Sequence, residues 1–424
     1  MRIGYACLAL GLPGSEMKNC RLQNADRDRL LALIGHNLSA LERLIDYNIT
    51  QGVQLFRISS DLIPFGSSVA ENIGWQAVYS ERLAIIGEKI RQSGMRVSMH
   101  PGQYTVLNSP DRSVVERAVK DLAYHADVLD HLGLDATHKL ILHLGGGYGN
   151  KADATSRFRL VYRELPAAVK RRLVLENDDR IYTISEVLAL AETEHVPVVF
   201  DNLHHRVNPT DDSLTDGDWI HRCGLTWTSE DGPQKIHYSQ QHPAKRSGAH
   251  SDTIDIPAFL AFVETLPSSA IDIMLEVKDK NVSAVKCINC TQNRGIQYLE
   301  QDWARYKYLI LERSRSHYDA IRQLLKDKST FSAREMYRLI DEALARVPSR
   351  GNAVNAAMHV WGYFKHRATV SEKRKFEKIL ALFESGDSGL TQVKRMLERL
   401  AVRYEEDYLL NSYYFTHAED GHDL

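Results

Sequence analysis

The chain has 424 residues, 43% of them hydrophobic and 25% charged, with a formal net charge of −2. That length accommodates a domain of about 250–300 residues plus a smaller one, and the near-neutral balance excludes a protein that grips nucleic acid or a membrane surface by bulk charge. No apolar run approaches the ~18 residues of a membrane span, no signal-peptide layout opens the chain, and five scattered cysteines, Cys7, Cys20, Cys223, Cys287 and Cys290, fit a reducing compartment. A cytoplasmic protein with no membrane partner is expected.

Short apolar runs bounded by turn residues read as strands, and the longer amphipathic stretches between them as helices. In chain order the spacing predicts a strand over Arg2–Cys7 and a helix over Arg27–Thr50, then a strand over Val53–Ser59 and a helix over Trp75–Gln92. A strand over Met95–His100 precedes a loop to Pro110 and a helix over Val114–His131. Lys139–His143 is a strand ending in the loop Gly145-Gly146-Gly147-Tyr148-Gly149, with a helix in Ala154–Glu164. Strand Arg172–Glu176 is followed by helix Ile184–Glu194. Strand Val196–Asp201 runs into an irregular acidic loop and a short helix near Asp218–Cys223. Strand Gln234–Tyr238 precedes a polar loop with His242 and His250 and a helix over Ile256–Thr265, and Ile271–Glu276 is the eighth strand. Four- to six-residue apolar strands alternating with helices suit a parallel sheet buried on both faces. Eight such units give an α/β fold, a (β/α)₈ TIM barrel, over residues 1–312. Beyond it only helical patterns remain, over His317–Lys326, Ala333–Arg346, Ala353–Lys365, Glu372–Glu384 and Thr391–Tyr404, so residues 313–424 read as a smaller all-helical domain. Within it, Asn352, Asn355, His359 and Tyr363 lie at helical spacing and are expected to pack against a neighbouring helix. Cys287 and Cys290 form a lone C-x-x-C, weak as a zinc signal without a second pair.

Six consecutive strands end on, or just before, metal-binding residue types: His100, His143, Glu176, Asp201 with His204, His237 and Glu276. In a closed barrel the C-terminal strand ends converge on one face. Any one of these residues suits a polar group where the chain leaves the core. Three carboxylates gathered there would repel one another without cations, and Asp and Glu are rarely buried unpaired. A cluster of two or three divalent ions follows, with Glu176 as a bridging carboxylate and Asp201 and His204 serving two ions from one turn. Such an arrangement clamps a phosphodiester for displacement. After His100, Pro101 and Gly102 would present Gln103 and Tyr104 outward as a wedge for a base stack. The Gly145–Lys151 loop would offer backbone N–H groups and a cation to phosphate.

These residues resemble the ultraviolet damage endonucleases, a repair family with a TIM-barrel fold similar to endonuclease IV. The resemblance covers most of residues 1–312. It rests on Ile3-Gly4-Tyr5, Phe56-Arg57-Ile58-Ser59-Ser60-Asp61-Leu62-Ile63-Pro64-Phe65 and His100-Pro101-Gly102-Gln103-Tyr104. It rests further on Leu107-Asn108-Ser109-Pro110, Leu175-Glu176-Asn177-Asp178-Asp179, Asp201-Asn202-Leu203-His204-His205, Lys235-Ile236-His237-Tyr238-Ser239, Ala249-His250-Ser251-Asp252 and Met274-Leu275-Glu276.

The resemblance implies incision of damaged double-stranded DNA immediately 5′ to cyclobutane pyrimidine dimers and 6-4 photoproducts, and at abasic sites, with Mn²⁺-like ions, by a cytoplasmic enzyme working at the nucleoid. Implied ligands are His100, His143, Glu176, Asp201, His204, His237, His250 and Glu276. Gln103 and Tyr104 match a pair that probes the duplex, Tyr5 matches a tyrosine at the lesion pocket, and Lys235 matches a lysine that can be carboxylated beside the metals. Glu176, Lys235 and Glu276 are therefore the expected catalytic set, and Tyr5, Arg57, Gln103, Tyr104, Asn108 and Lys151 the expected DNA contacts. Two departures stand out. Gly66-Ser67-Ser68 lies where some members carry a histidine ligand, and Leu8-Ala9-Leu10 where some carry an asparagine at the lesion face. Two other readings remain open: a metal-dependent sugar isomerase or epimerase of the same barrel class, and a catalytically inactive damage-binding protein. The sequence leaves the oligomeric state and the role of the helical domain open.

Overall fold

In the computed structural model, which describes residues 1–210 and 213–416, eight parallel strands close into a barrel in sequence order. They are β1 (Ile3–Ala6), β2 (Leu55–Ile58), β3 (Arg96–Met99), β4 (Lys139–His143), β5 (Leu173–Glu176), β6 (Val198–Asp201), β7 (Lys235–Tyr238) and β8 (Asp272–Leu275). The helices between them are fixed by local caps: Asp26, Asp111 and Asp255 accept N–H groups of the first turn, and Thr183 with Glu186 forms a capping box.

Register decides which residues meet. Arg57 pairs with Ala6 and Ser98, His143 with Glu176, Asp201 with His237, and Lys235 with Asp272. Side chains alternate faces along a strand and paired residues share one, so the interior is filled in layers. Arg96, Lys139, Lys235 and Asp272 lie lowest, all buried. A dry middle holds Ile141, Val174 and Val199. Above it come Arg57, His143, Glu176, Asp201 and His237 at the C-terminal strand ends. The strands are four or five residues long because a closed barrel needs only enough length for these layers.

The lower layer is held by charge. Arg96 donates to Asp272 Oδ2 at 2.9 Å and to the carbonyls of Thr137, Pro233 and Asp231, and Lys139 Nζ lies 2.5 Å from Asp231 Oδ1. Next to it, buried His138 accepts the Val97 N–H on Nδ1 at 3.0 Å. Burial, with Arg96 close by, pushes this imidazole down to about 4 despite Asp135. The unfolded chain then binds the extra proton between about 6.5 and 4, so this contribution is complete above pH 6.5 and is lost as pH falls to 4. His138→Asn keeps an acceptor for Val97 and does not titrate. Its unfolding free energy should therefore fall by roughly 2–3 kcal/mol less than that of the parent between pH 7 and pH 4.5. Equal losses in urea titrations of the two proteins would show that another group carries the acid sensitivity.

The chain divides into two compact units, Met1–Ala9 with Gly14–Cys287, and Leu10–Pro13 with Ile288 onward. The division falls inside the helix Asn281–Thr291, ahead of the expected boundary at residue 312. The helix Ile296–Arg313, which the sequence reading did not resolve, is the centre of the second unit. Helices Arg315–Leu324, Ala333–Leu344 and Arg350–Trp361 pack on it, which buries nine of its eighteen residues. The Tyr363 and Tyr308 hydroxyls are 2.8 Å apart, and Asn352 Nδ2 donates to the Arg313 carbonyl, so this part of the polar stripe faces the central helix, while His359 is exposed. A buried Lys394–Glu312 pair at 3.0 Å ties in helix Leu390–Arg403. Cys287 and Cys290 are buried and join no cluster of metal-binding side chains among the described residues. Of the acidic loop after β6, Asp211 and Asp212 lie outside the described residues.

Candidate metal centre

Glu176, at the end of β5, is 1% exposed and lies at the centre of the strand-end cluster. Three groups of potential ligand atoms share it: His100 and His143; Asp201 and His204; His237 and Glu276. His100 Nε2 lies 3.3 Å and His143 Nε2 3.7 Å from Glu176 Oε2, while His237 Nδ1 lies 2.6 Å from Oε1. His250, on the β7 loop, brings Nε2 to 3.9 Å from Glu276 Oε2. All eight expected ligand residues therefore meet at one face, from seven separate segments of chain.

Hydrogen bonds orient the imidazoles. His100 Nδ1–H donates to the Pro101 carbonyl at 3.0 Å and His204 Nδ1–H to the Asn177 carbonyl at 2.9 Å, which makes each Nε2 the candidate ligand nitrogen. Asp201 divides its work. Its Oδ1 accepts the N–H groups of Leu203 and His204, both at 2.8 Å, and so starts the short helix Asn202–Val207, unforeseen from the sequence. Its Oδ2 is buried with no hydrogen-bond partner, as is His143 Nδ1. Asn177 brackets Asp201, donating to its carbonyl at 3.0 Å and accepting its N–H at 2.9 Å. That positioning role was hidden in the Glu-Asn-Asp-Asp motif, since its partner lies on another strand.

The protonation pattern fits cation binding. Burial alone would raise the Glu176 carboxyl, but the surrounding imidazoles, His237 and His143 foremost, hold it well below the usual range. Burial would likewise raise Glu276, and Arg57 holds it down. Burial pushes Asp201 up to about 7, against the pull of His204 and helped by Glu176 and Glu276. Burial disfavours charge on His204, yet the same carboxylates, Asp201 first, lift it to about 9. His237, buried, falls to about 4. It is neutral, since Nδ1–H donates to Glu176 and Nε2 accepts from Arg57. Glu176 and Glu276 are thus held as carboxylates and His237 as a neutral imidazole, while a proton shared by Asp201 and His204 would leave on binding a cation, for which the orphaned Asp201 oxygen is a fitting donor.

Several expected DNA contacts lie elsewhere. Tyr5 is wholly buried and donates its hydroxyl to Asn48 of the first helix at 2.7 Å. It lies one residue out of phase with the inward-facing Gly4 and Ala6, so it faces the helical layer and not a lesion pocket. Arg57 is no surface cation. Its Nη2 donates to Glu276 Oε1 at 2.6 Å and to His237 Nε2 at 2.9 Å inside the mouth. Asn108 is fully buried and donates to the Gly146 carbonyl at 2.7 Å, so it holds the glycine-rich loop from below. A Cβ on Gly145 would come within 2.5 Å of Asn108 Oδ1, which explains the glycine there. Lys151 is already paired with Glu186 at 2.9 Å. Lys235 lies two residues before His237 on β7, in the lowest layer of the interior, and its buried Nζ has no hydrogen-bond partner. Burial, with Arg96 nearby, keeps this amine well below its ordinary range.

The outward turn does form. The Thr105 N–H closes it on the Gly102 carbonyl at 2.9 Å, Gln103 is exposed, and Tyr104 is 83% exposed. In place of the missing histidine, exposed Ser68 donates its hydroxyl to the Phe65 carbonyl. Gly66 packs against Tyr124, whose ring would lie 2.2 Å from an added Cβ.

A closed parallel barrel with histidines and carboxylates gathered around one buried glutamate defines a TIM-barrel protein with a candidate metal centre. Residues 1–303 match the family described as UV-endonuclease UvdE, and residues 307–418 match a family of unknown function, DUF1722. The UV DNA damage endonuclease of Clostridium perfringens is 34% identical over 405 residues, covering 94% of this chain and 97% of that protein. The enzyme of the same name from Bacillus velezensis is 34% identical over 293 residues, covering 68% and 91%. The crystal structure of SacUVDE has a TM-score of 0.64 at 35% identity, covering 68% of this chain and 96% of its own. The chain belongs to the UV damage endonuclease family. No helix among the described residues is long and apolar enough to cross a membrane.

Proposed function

We propose that this chain incises duplex DNA immediately 5′ to cyclobutane pyrimidine dimers and 6-4 photoproducts, and at abasic sites, in the cytoplasm at the nucleoid, through residues 1–312. The observation that carries the reading is that Glu176 is shared by three groups of ligand atoms. His100 and His143, Asp201 and His204, and His237, Glu276 and His250 would hold two or three divalent ions, Mn²⁺ in the first instance. When bound, such ions polarise a phosphodiester and activate water at neutral pH. His237 spends its Nδ1–H on Glu176 and its Nε2 lone pair on Arg57, so it would hold an ion only once the Arg57 bond gives way. Asn177 and the Asn202–Val207 helix hold Asp201 and His204 in place. Burial favours the uncharged amine of Lys235, the form that carboxylation requires, and the carboxylated side chain would be an acceptor beneath the cluster. The exposed Gln103–Tyr104 turn favours a duplex over the enclosed sugar of an isomerase, and the full ligand set favours an active enzyme over a binding protein.

An end-labelled duplex with one photodimer tests this in the presence of Mn²⁺. A single cut immediately 5′ to the dimer is expected, with the undamaged duplex left intact. On the same substrate the Gln103→Ala, Tyr104→Ala double variant should bind the damaged duplex at least about tenfold more weakly, since an aromatic stacking contact contributes on the order of 1–3 kcal/mol. Its metal content should be unchanged. Affinity within twofold of the parent would remove the pair from damage recognition.

A further inference from the structure

A cavity of about 680 Å³ lies between the loop after β2, the loop after β3 and the helix Arg112–His131. That helix presents Asp121, Tyr124 and His125 to it, spaced i, i+3 and i+4 and hence on one face. Asp121 Oδ2 accepts the hydroxyl hydrogen of Thr105 at 2.6 Å. Thr105 is the residue whose N–H closes the Gln103–Tyr104 turn. The Tyr124 hydroxyl donates to the Ser60 carbonyl and accepts the Ile63 N–H, both at 3.2 Å, and the Ser60 hydroxyl donates to the His100 carbonyl at 2.6 Å. His125 Nδ1–H donates to the Asp121 carbonyl at 2.6 Å. One helix face thus fastens the turn and, through Ser60, the backbone of a ligand candidate.

We propose that Asp121 is a positioning residue for damage recognition: through Thr105 it holds the Gln103–Tyr104 turn in the conformation that meets the duplex. The proposal rests on the reading of that turn as a duplex probe. The tip has little else to order it, since neither Gln103 nor Tyr104 makes a side-chain hydrogen bond among the described residues and both are exposed. The Thr105–Asp121 bond is short, charge-assisted and mostly buried, with Thr105 7% exposed, so it belongs to the stronger class of hydrogen bond. A turn ordered before it meets DNA spares the entropy of ordering it at the moment of binding. The expected effect therefore falls on binding, while the metal-ligand candidates, which Asp121 does not touch, keep their positions.

Thr105→Val tests this by removing the donor at constant shape; Thr105→Ser restores it. In the full-length chain without DNA, amide exchange of residues 102–105 should speed up about tenfold in Thr105→Val and stay at the parent rate in Thr105→Ser. On the photodimer duplex with Mn²⁺, Thr105→Val should raise KM about tenfold with kcat within twofold, and Thr105→Ser should match the parent. Parental exchange and KM in Thr105→Val would overturn the proposal. So would faster exchange with an unchanged KM, which would show an anchor without a part in recognition. Failure of the probe reading itself shows separately, as a parental KM in the Gln103→Ala, Tyr104→Ala variant.

Discussion

Glu176→Gln should lower incision at a photodimer by at least about a thousandfold, some 4 kcal/mol in the activation barrier. All three groups of ligand atoms include this carboxylate, so a neutral amide weakens every one of them at once. The tautomer of His237 adds to the effect. Its Nδ1–H donates to Glu176 Oε1 at 2.6 Å, and an amide that turns its NH₂ toward it leaves two donors facing each other. The barrel should persist, because glutamine has nearly the same volume and the dry layer of Ile141, Val174 and Val199 beneath is untouched. Elemental analysis should find less bound metal at an unchanged circular dichroism spectrum. Parental incision rates at ordinary Mn²⁺ concentrations would sink the assignment of the centre.

Chelation of the parent protein should stop incision outright and should also weaken binding to the damaged duplex by about tenfold, or 1.4 kcal/mol. The chain as a whole carries a net charge of only −2, and two of the cations expected on DNA are committed elsewhere, Arg57 to Glu276 and Lys151 to Glu186. Attraction for phosphates at the mouth would therefore come largely from bound divalent ions. Without them the carboxylates Glu176, Asp201 and Glu276 face the DNA with only Arg57 and His204 to offset them. Fluorescence anisotropy with and without chelator, followed by restoration with Mn²⁺, reads this directly. Unchanged affinity after complete metal removal would mean that DNA is held by surfaces remote from the barrel mouth.

The strand ends were legible in the sequence for a geometric reason. A buried parallel strand is a short apolar run, and the first polar residue after it marks where the interior opens. His143, Glu176 and Asp201 are the last residues of their strands, so locating the run located the ligand candidate. Partners across the barrel were not legible, because strand parity and long-range pairing leave no local trace. Tyr5 lies in a matching motif yet faces outward, one position from the inward set. Arg57 finds Glu276 across 219 residues of sequence, and Asn108 finds Gly146 through a loop. The Asn202–Val207 helix escaped notice because at six residues it lacks a periodic pattern and depends on the Asp201 cap. Helix Ile296–Arg313 was missed for the opposite reason. Covered on several sides, it buries charged and aromatic residues together, Asp302, Trp303, Tyr306 and Glu312 among them, and shows no clean apolar stripe.

Arg57 has a consequence for how the protein is made. Its guanidinium lies within the cluster, 2.6 Å from Glu276 and bonded to His237, so the chain carries its own resident counter-charge. A newly synthesised polypeptide can therefore close its barrel around that internal cation, with no outside ion needed to balance Glu276 while the strands come together.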